Sequence, residues 1–219
     1  MLPTNKVRRR LYKLVELSSV FNGKLALEIA DNLVIHMVDT YDDISIRAEF
    51  DWSGFIFSSP LTYGTFHLNT AELISMLAHS DVELTMSPRL GYTYDNIYHK
   101  LSQSRPMVYY DIRRRAPEYV TIPKTRFHDV VTSCASMGDH THIDGGSWNS
   151  ESYLGRVSYN VPTSFRATFT SRSLVGVDVA MTGMSSIFIS FDGVLIVTGT
   201  TSNPSTRITV AVAPVSTRS

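Results

Sequence analysis

The residues best suited to chemistry in this sequence form a histidine and aspartate cluster at residues 139–144, which read DHTHID. On a β-strand, His140 and His142 would share one face, where two imidazoles can bind a metal ion. The chain has no second cysteine and no spaced histidine pair elsewhere. An exposed strand therefore explains the run better, and no metal site is expected.

Other chemical groupings are explained equally well by structure. Asp39, Asp42 and Asp43 could form a carboxylate site, but aspartates also favour turns. Gly145-Gly146 lacks the lysine that follows a phosphate-binding loop and is predicted to lie in a hairpin. Cys134 falls on an apolar helix face, where a core thiol is expected. These patterns favour a protein that is not an enzyme and needs no cofactor.

Composition limits the class of protein. The chain has 219 residues, of which 43% are hydrophobic and 18% charged, with 20 basic and 20 acidic side chains and a formal net charge of zero. One cysteine excludes a disulfide framework and predicts a reducing, intracellular compartment. No apolar run approaches the ~20 residues of a membrane span, and the N-terminus lacks an apolar signal core, so neither a membrane protein nor a secreted one is expected.

The first element of secondary structure is a predicted helix over residues 4–21, which carries several basic side chains. Apolar residues recur at helical spacing and form one stripe, while basic residues fall largely off it. The stripe consists of Val7, Leu11, Leu14 and Val15, and the basic residues are Lys6, Arg9, Arg10 and Lys13. Thr4 or Asn5 can cap the start of this helix, and Asn22-Gly23 is predicted to end it.

The rest of the first half is predicted to be strands around one more helix. Asn69 or Thr70 can cap that helix, which carries Leu73, Ile74 and Leu77. Alternating or continuous apolar residues predict strands at 25–29, 33–38, 44–50, 66–68, 82–86 and 92–100.

Residues 102–117 change in character. They contain two prolines and the basic run RRR at 113–115, which together indicate a linker. We place the linker at 106–117, between an N-terminal domain at 1–105 and a C-terminal domain at 118–219.

After this linker the order of elements repeats. A helix is predicted from Pro123 to Met137, and Thr170 or Ser171 can cap another. Strands are predicted at 118–122, 156–159, 164–168, 187–191, 194–198 and 207–212. Each half is thus an α+β arrangement, a sheet with two helices on one face, so the fold class is α+β with two similar domains.

Several segments resemble the PCNA family of DNA sliding clamps. They are LVIHMVD at 33–39 with ISI at 44–46, FHLNTAELISML at 66–77, IPKTRF at 122–127 with MGD at 137–139, and VAP at 212–214. The matches occur in the family's order over nearly the whole chain, which is shorter than typical members. The resemblance implies a clamp of two similar domains joined by a linker.

The same resemblance implies a function. Such a clamp is a non-enzymatic processivity factor, most often a homotrimeric ring around duplex DNA, which a clamp loader places there. It tethers DNA polymerase and other replication and repair proteins. The expected location is inside the cell at the replicating genome, in the nucleus if the host is eukaryotic.

In the family the helices line the hole of the ring. Basic side chains on the helix faces opposite the apolar stripe should therefore point into the hole and meet the DNA phosphates without reading bases. The matching residues are Lys6, Arg9, Arg10, Lys13, Lys124, Arg126 and Arg172. The sequence departs from the family pattern elsewhere on these helices. Asp129 and Thr132 stand where arginines are usual, residues 71–80 lack Lys and Arg, and Asp178 lies within the fourth helix.

The resemblance also implies a pocket for partner peptides beside the linker. The matching positions are Val38, Ile46, Ile112, Val194, Ala213 and Pro214. Taken singly, Val38, Ile46 and Val194 are equally well explained as strand residues of the core. The arginines at 113–115 are open to three interpretations: pairing with acidic flanks of a partner, a solvated loop, or contact with DNA.

Two alternatives remain at this stage. One is a checkpoint-type or heteromeric clamp subunit, which would share the fold but not assemble by itself. The other is a β-rich viral structural protein. The uneven distribution of basic residues over the helices keeps both alternatives open.

Overall fold

The computed structural model describes residues 2–21, 24–39, 43–57, 63–79, 83–85, 91–95, 97–102, 119–202 and 205–215. Four helices of eight or more residues and mostly antiparallel strands make up this part of the chain. The predicted α+β class is confirmed. The predicted linker at 106–117, including Ile112 and the arginines at 113–115, lies outside the described residues.

The chain divides into two compact units. Unit 1 comprises Met1–Tyr41, Ser45–Tyr110 and Thr201–Arg207, and unit 2 comprises Asp42–Ile44, Asp111–Thr200 and Ile208–Ser219. The short piece Asp42–Ile44 of the N-terminal half thus belongs to unit 2, and Thr201–Arg207 of the C-terminal half belongs to unit 1. The sequence prediction divided the chain at the linker alone and did not include these two pieces.

In the described residues, unit 1 contains two α-helices and the strands around them. Its elements are β1 (Leu2–Pro3), α1 (Asn5–Val20), β2 (Lys24–Ile29), β3 (Leu33–Val38), β4 (Ile44–Phe50), a 3-10 turn (Trp52–Gly54), β5 (Phe55–Ile56), β6 (Gly64–Leu68), α2 (Thr70–Ala78), β7 (Glu83–Thr85), β8 (Gly91–Tyr94) and β9 (Ile97–Lys100).

The main sheet of unit 1 has the strand order β4-β3-β2-β6, with all neighbours antiparallel. Strand side chains alternate between faces, so Leu25 and Leu27 share one face with their cross-strand partners Met37 and Ile35. Helix α1 packs against α2. The buried residues of the two helices are apolar apart from Ser18 of α1, and they form part of the core of this unit.

The second sheet of unit 1 corrects one prediction. Residues 92–100 were predicted to be one strand, but they form a hairpin of β8 and β9, in which Tyr92 pairs with His99. The chain turns at Asp95, which has a φ of 50°. Aspartate tolerates this left-handed conformation better than most residues, so the turn needs no glycine.

Unit 2 again has a helix before and after a group of strands. Its elements are β10 (Val120–Pro123), α3 (Lys124–Met137), β11 (His140–Asp144), β12 (Ser147–Ser152), β13 (Gly155–Asn160), β14 (Arg166–Thr170), α4 (Ser171–Ala180), β15 (Ser186–Phe191), β16 (Leu195–Ser202) and β17 (Ser205–Val212). The end of β16 and the start of β17 fall within Thr201–Arg207, which belongs to unit 1.

The strands of unit 2 form two sets. One sheet has the order β13-β12-β11-β14, and the other strands follow in the order β10-β15-β16-β17. Gly145 and Gly146, with φ of 49° and 103°, form the turn between β11 and β12, so the hairpin prediction for this pair is confirmed. Helix α3 packs against α4, and Phe127 of α3 meets the fully buried Trp148 edge to face.

Helix starts were the most predictable boundaries. Asn69 and Thr170 are the N-cap residues of α2 and α4, and their side-chain oxygens accept the backbone N–H of Ala71 and Ser173. Thr4 stands at the N-cap of α1, but its side chain makes no capping hydrogen bond. Its carbonyl accepts the N–H of Arg8 instead. The short elements at 52–56 had no prediction.

The two threonine caps offer a matched test. Replacing Thr170 with Ala removes the acceptor for the Ser173 N–H and should lower the free energy of unfolding by about 1 kcal/mol. Thr4→Ala removes no capping hydrogen bond and should change it by less than about 0.5 kcal/mol. Urea titrations followed by circular dichroism measure both values. Equal losses would contradict the assigned cap geometry.

Candidate functional site

The exposed face of α1 carries most of the basic side chains predicted to meet DNA. Val7, Leu11 and Val15 are buried. Arg9 and Lys13 lie on the opposite face and are exposed, as is Lys6. Arg9 and Lys13 stand four residues apart, so their side chains are neighbours on the helix surface. Within the described residues, neither of these two forms an ion pair.

Arg10 points elsewhere. Its guanidinium donates to the hydroxyl oxygens of Thr201 at 2.8 Å and Thr206 at 3.1 Å, all within unit 1. Burial lowers the pKa of Arg10 from its ordinary value, although an arginine remains charged. The prediction grouped Arg10 with Arg9 and Lys13, whereas the structure holds it against these two threonines.

A groove of about 380 Å³ separates the exposed faces of α1 and α2. Three cations and one acid from α1 line it, and α2 contributes two small or apolar side chains. The lining residues are Arg8, Arg9, Tyr12, Lys13, Glu16, Leu77 and Ala78. An anion is the ligand that this combination of charges suits.

Arg8 is the third cation of this groove and, unlike Arg9 and Lys13, is only partly exposed. Its Nε is buried and has no hydrogen-bond partner. Arg8 also lines an apolar cavity of about 30 Å³ beneath the helices, beside Leu11 and Leu77. Its position one residue after the buried Val7, at the margin of the apolar stripe, was the available sequence signal for partial burial.

In unit 2, one of the predicted DNA-facing cations is buried in an ion pair. Lys124 Nζ lies 2.5 Å from Asp178 Oδ1, and His128 Nδ1 lies 2.8 Å from Asp178 Oδ2. The side chains of Lys124 and Asp178 are only 13% and 9% exposed, so this ion pair belongs to the interface between α3 and α4. The charge of Lys124 is therefore matched inside unit 2 and is not presented on an open face.

The other two predicted cations of unit 2 are exposed. Arg126 donates through Nη2 to the carbonyl oxygen of Asn160 at 3.2 Å. Arg172 lies in the first turn of α4. Asp129 of α3 is also exposed, which lowers the positive charge of this helix surface.

The predicted peptide pocket is not assembled from Val38 and Ile46. In the pairing of β3 with β4, Met37 stands opposite Ile46 and Val38 opposite Ser45. Cross-strand partners point to the same face, and successive residues to opposite faces. Val38 and Ile46 consequently point to opposite faces of the sheet, and both are at most 5% exposed.

The remaining described pocket positions lie in unit 2. Val194 packs against the buried pair Ile196 and Ala211. Ala213 and Pro214 follow β17 and are partly exposed, and the N–H of Ala213 donates to the carbonyl of Asp43 at 2.8 Å. All three residues are apolar and partly exposed.

The histidines of β11 and Cys134 are the other chemical groupings that lie in the described part of the chain. His140 and His142 are exposed on one face of β11, and His142 Nδ1 lies 2.9 Å from Thr168 Oγ1. No group of three or more His, Cys, Asp or Glu side chains there is arranged to hold a metal ion. Cys134 is fully buried, and burial raises the pKa of its thiol above the ordinary value.

Comparison with known proteins assigns this chain to no family. No family model matches this chain, and no curated protein matches its sequence. Among the described residues, no helix is both long enough and apolar enough to cross a membrane.

The ion pair between α3 and α4 predicts a specific pattern of stability. Asp178→Asn leaves the ammonium of Lys124 buried without its counter-ion and should cost about 3 kcal/mol of unfolding free energy. Adding Lys124→Met should restore most of that loss, because the unpaired charge is gone. Urea denaturation of the single and double variants measures this coupling.

The exposed Asp129 on the same helix is the control, and Asp129→Asn should change the unfolding free energy by less than about 0.5 kcal/mol. A double variant less stable than Asp178→Asn alone would show that Lys124 is not paired as described.

Proposed function

We propose that this protein is a subunit of a ring-shaped DNA sliding clamp of the PCNA type. The observation that carries the proposal is a repeated arrangement of strands. In unit 1 the strands β2, β3, β4 and β6 have the sheet order β4-β3-β2-β6. In unit 2 the strands β11, β12, β13 and β14 have the order β13-β12-β11-β14, which matches strand for strand.

The helices repeat in the same way. A strand and a helix precede each group of strands, as β1 and α1 in unit 1 and as β10 and α3 in unit 2. A helix and three strands follow each group, and the two helices of each unit pack together. Two similar domains with paired helices are what the clamp family resemblance implies.

The charge of α1 suits a face that meets duplex DNA without reading its sequence. Duplex DNA carries one negative charge per ~1.7 Å of its axis, and contacts to phosphate give affinity without base specificity. Arg9 and Lys13 are exposed on the helix face opposite the core and have no ion-pair partner among the described residues. Such contacts allow a ring to slide.

Two exposed edge strands support assembly into a ring. All four residues of β9 are exposed at the edge of the β7-β8-β9 sheet, including Ile97 at 59% and Tyr98 at 48%. Strand β13 lies at the edge of its own sheet and is also mostly exposed. Edge strands are templates for pairing, and association through two different surfaces closes into a ring when the rotation between copies permits.

The proposed task is topological and needs neither a catalytic residue nor a cofactor. The clamp would be a homotrimer that tethers DNA polymerase and other peptide-motif partners, and a clamp loader would place it on DNA. Val194, Ala213 and Pro214 are the described residues available for such peptides. The proposed location is intracellular, at the replicating genome, in the nucleus of a eukaryotic host.

A second candidate is a heteromeric or checkpoint-type clamp subunit. The observation that favours it is the uneven charge of the two helix pairs, since Lys124 of unit 2 is paired with Asp178 whereas Arg9 and Lys13 of unit 1 are unpaired among the described residues. In a mixed ring, other subunits would supply the missing positive charge.

Retention on circular DNA tests the clamp proposal. Once a clamp loader has placed it on nicked circular DNA, the protein should co-elute with the circle in gel filtration and be released when the circle is cut, because a ring slides off free ends. The double substitution Arg9→Glu and Lys13→Glu should lower retention about tenfold, a loss of about 1.4 kcal/mol. Arg207→Glu, on an exposed residue of β17, is the matched charge control and should leave retention within about twofold.

Retention that survives cutting of the circle would contradict topological binding. Retention that both variants lower equally would contradict a role for the exposed face of α1.

A further inference from the structure

We propose that the edge strand β9 makes self-association of this protein sensitive to pH, because protonation of His99 weakens the pairing of β9 with a second copy of the chain. This control rests on the proposed clamp function, since β9 is the edge that would meet β13 of the neighbouring copy. It adds to that function a named side chain on which assembly depends.

His99 lies at the open end of a stack of two rings. It stands opposite Tyr92 in the β8–β9 hairpin, and the two rings are nearly parallel, with centroids 4.8 Å apart and planes inclined by 13°. Tyr92 therefore covers one face of the imidazole. Strand β9 is the edge of its sheet, and His99 is exposed there. A strand added to this edge would cover the second ring face, since side chains of paired strands lie about 5 Å apart.

The neighbours of His99 on the same face of the hairpin are aromatic or apolar. Tyr94 and Ile97 stand opposite each other, and Ile97 is 59% exposed. His79, at the end of α2, stacks on Tyr94 with ring centroids 4.1 Å apart and is the second imidazole of this face. These groups offer a protonated His99 no negative charge.

The charged residues of these strands lie elsewhere. Lys100 follows His99 directly, and Glu83 stands opposite Thr93, so the alternation of strand side chains places both on the other face of the sheet. Asp95 lies in the hairpin turn. Among the described residues of β7, β8 and β9, no acid shares the face of His99.

Strand β13 also lacks an acid that could pair with His99. Its sequence is GRVSYN, and its charged side chain is the exposed Arg156. Val157 and Tyr159 are partly exposed and can cover a neutral imidazole. Pairing of β9 with β13 would thus bring a protonated His99 to a strand that holds a like charge, which opposes association.

Two effects act in the same direction. Covering an imidazole removes water from its charged form and disfavours protonation, and Arg156 adds repulsion. In the separate copy, His99 is open to water and stacks on Tyr92, whose ring face tolerates a cation. The separate copy therefore binds the proton more readily, so lowering the pH favours dissociation by linkage. Histidine ordinarily changes charge between about pH 5 and pH 8, which sets the range of the effect.

Two substitutions of His99 with opposite consequences test this control by sedimentation equilibrium. For the parent protein, the dissociation constant of self-association should rise about tenfold from about pH 7.5 to about pH 5.5. His99→Gln cannot be protonated, so its dissociation constant should differ by less than about twofold between the two conditions. His99→Arg carries a fixed charge and should associate about tenfold more weakly than the parent does at about pH 7.5, under both conditions.

His140 provides the matched control. It is an exposed histidine of β11, a strand that is paired with β12 and β14 on its two sides and so offers no free edge. His140→Gln should keep the pH dependence of the parent protein. Circular dichroism under both conditions checks that each variant is folded.

The outcomes separate this control from the clamp itself. An assembly whose dissociation constant does not change with pH, or a His99→Gln variant that keeps the parent's change, would overturn the role of His99 and leave the ring intact. Loss of the pH dependence in His140→Gln would also overturn it. A protein that is monomeric under both conditions would contradict the ring, and the control of its assembly with it.

Discussion

Burial of one apolar face of each helix against a sheet is the constraint on which this structure depends. In α1, Val7, Leu11, Leu14 and Val15 are buried, and the sheet of β2, β3 and β4 supplies apolar side chains such as Leu27. The hydrophobic free energy of this burial fixes which side chains point outward. The exposed position of Arg9 and Lys13 is thus a consequence of core packing, and the arrangement of charge follows from it.

The two units differ in whether the basic residues of their helices are exposed or paired. Unit 1 leaves Arg9 and Lys13 exposed beside a groove, whereas unit 2 turns Lys124 inward to Asp178. The Asp178 carboxylate is only 9% exposed, and burying its charge without partners would lower the free energy of unfolding. Lys124 and His128 supply those partners and so contribute to the stability of unit 2. If the protein is a clamp, its contact with DNA is concentrated on one helix of each subunit.

The sequence predicted the features that local chemistry determines. Helical spacing located α1, and the polar residues Asn69 and Thr170 located the starts of α2 and α4. It did not predict the β8–β9 turn, since Asp95 adopts a left-handed conformation without a glycine. The orientation of Arg10 depends on Thr201 and Thr206, which are almost the whole chain away and leave no local signal. The opposite directions of Val38 and Ile46 follow from strand register, which a resemblance between short segments does not determine.

The mass and shape of the native assembly in solution test the central claim most directly. Sedimentation equilibrium gives the number of chains, and electron microscopy of the same sample gives the outline. A closed clamp built from the exposed edges β9 and β13 predicts a mass of three chains and a ring with an open centre wide enough for duplex DNA. A stable monomer, or a compact particle without a central opening, would contradict the proposal that this protein alone forms a clamp.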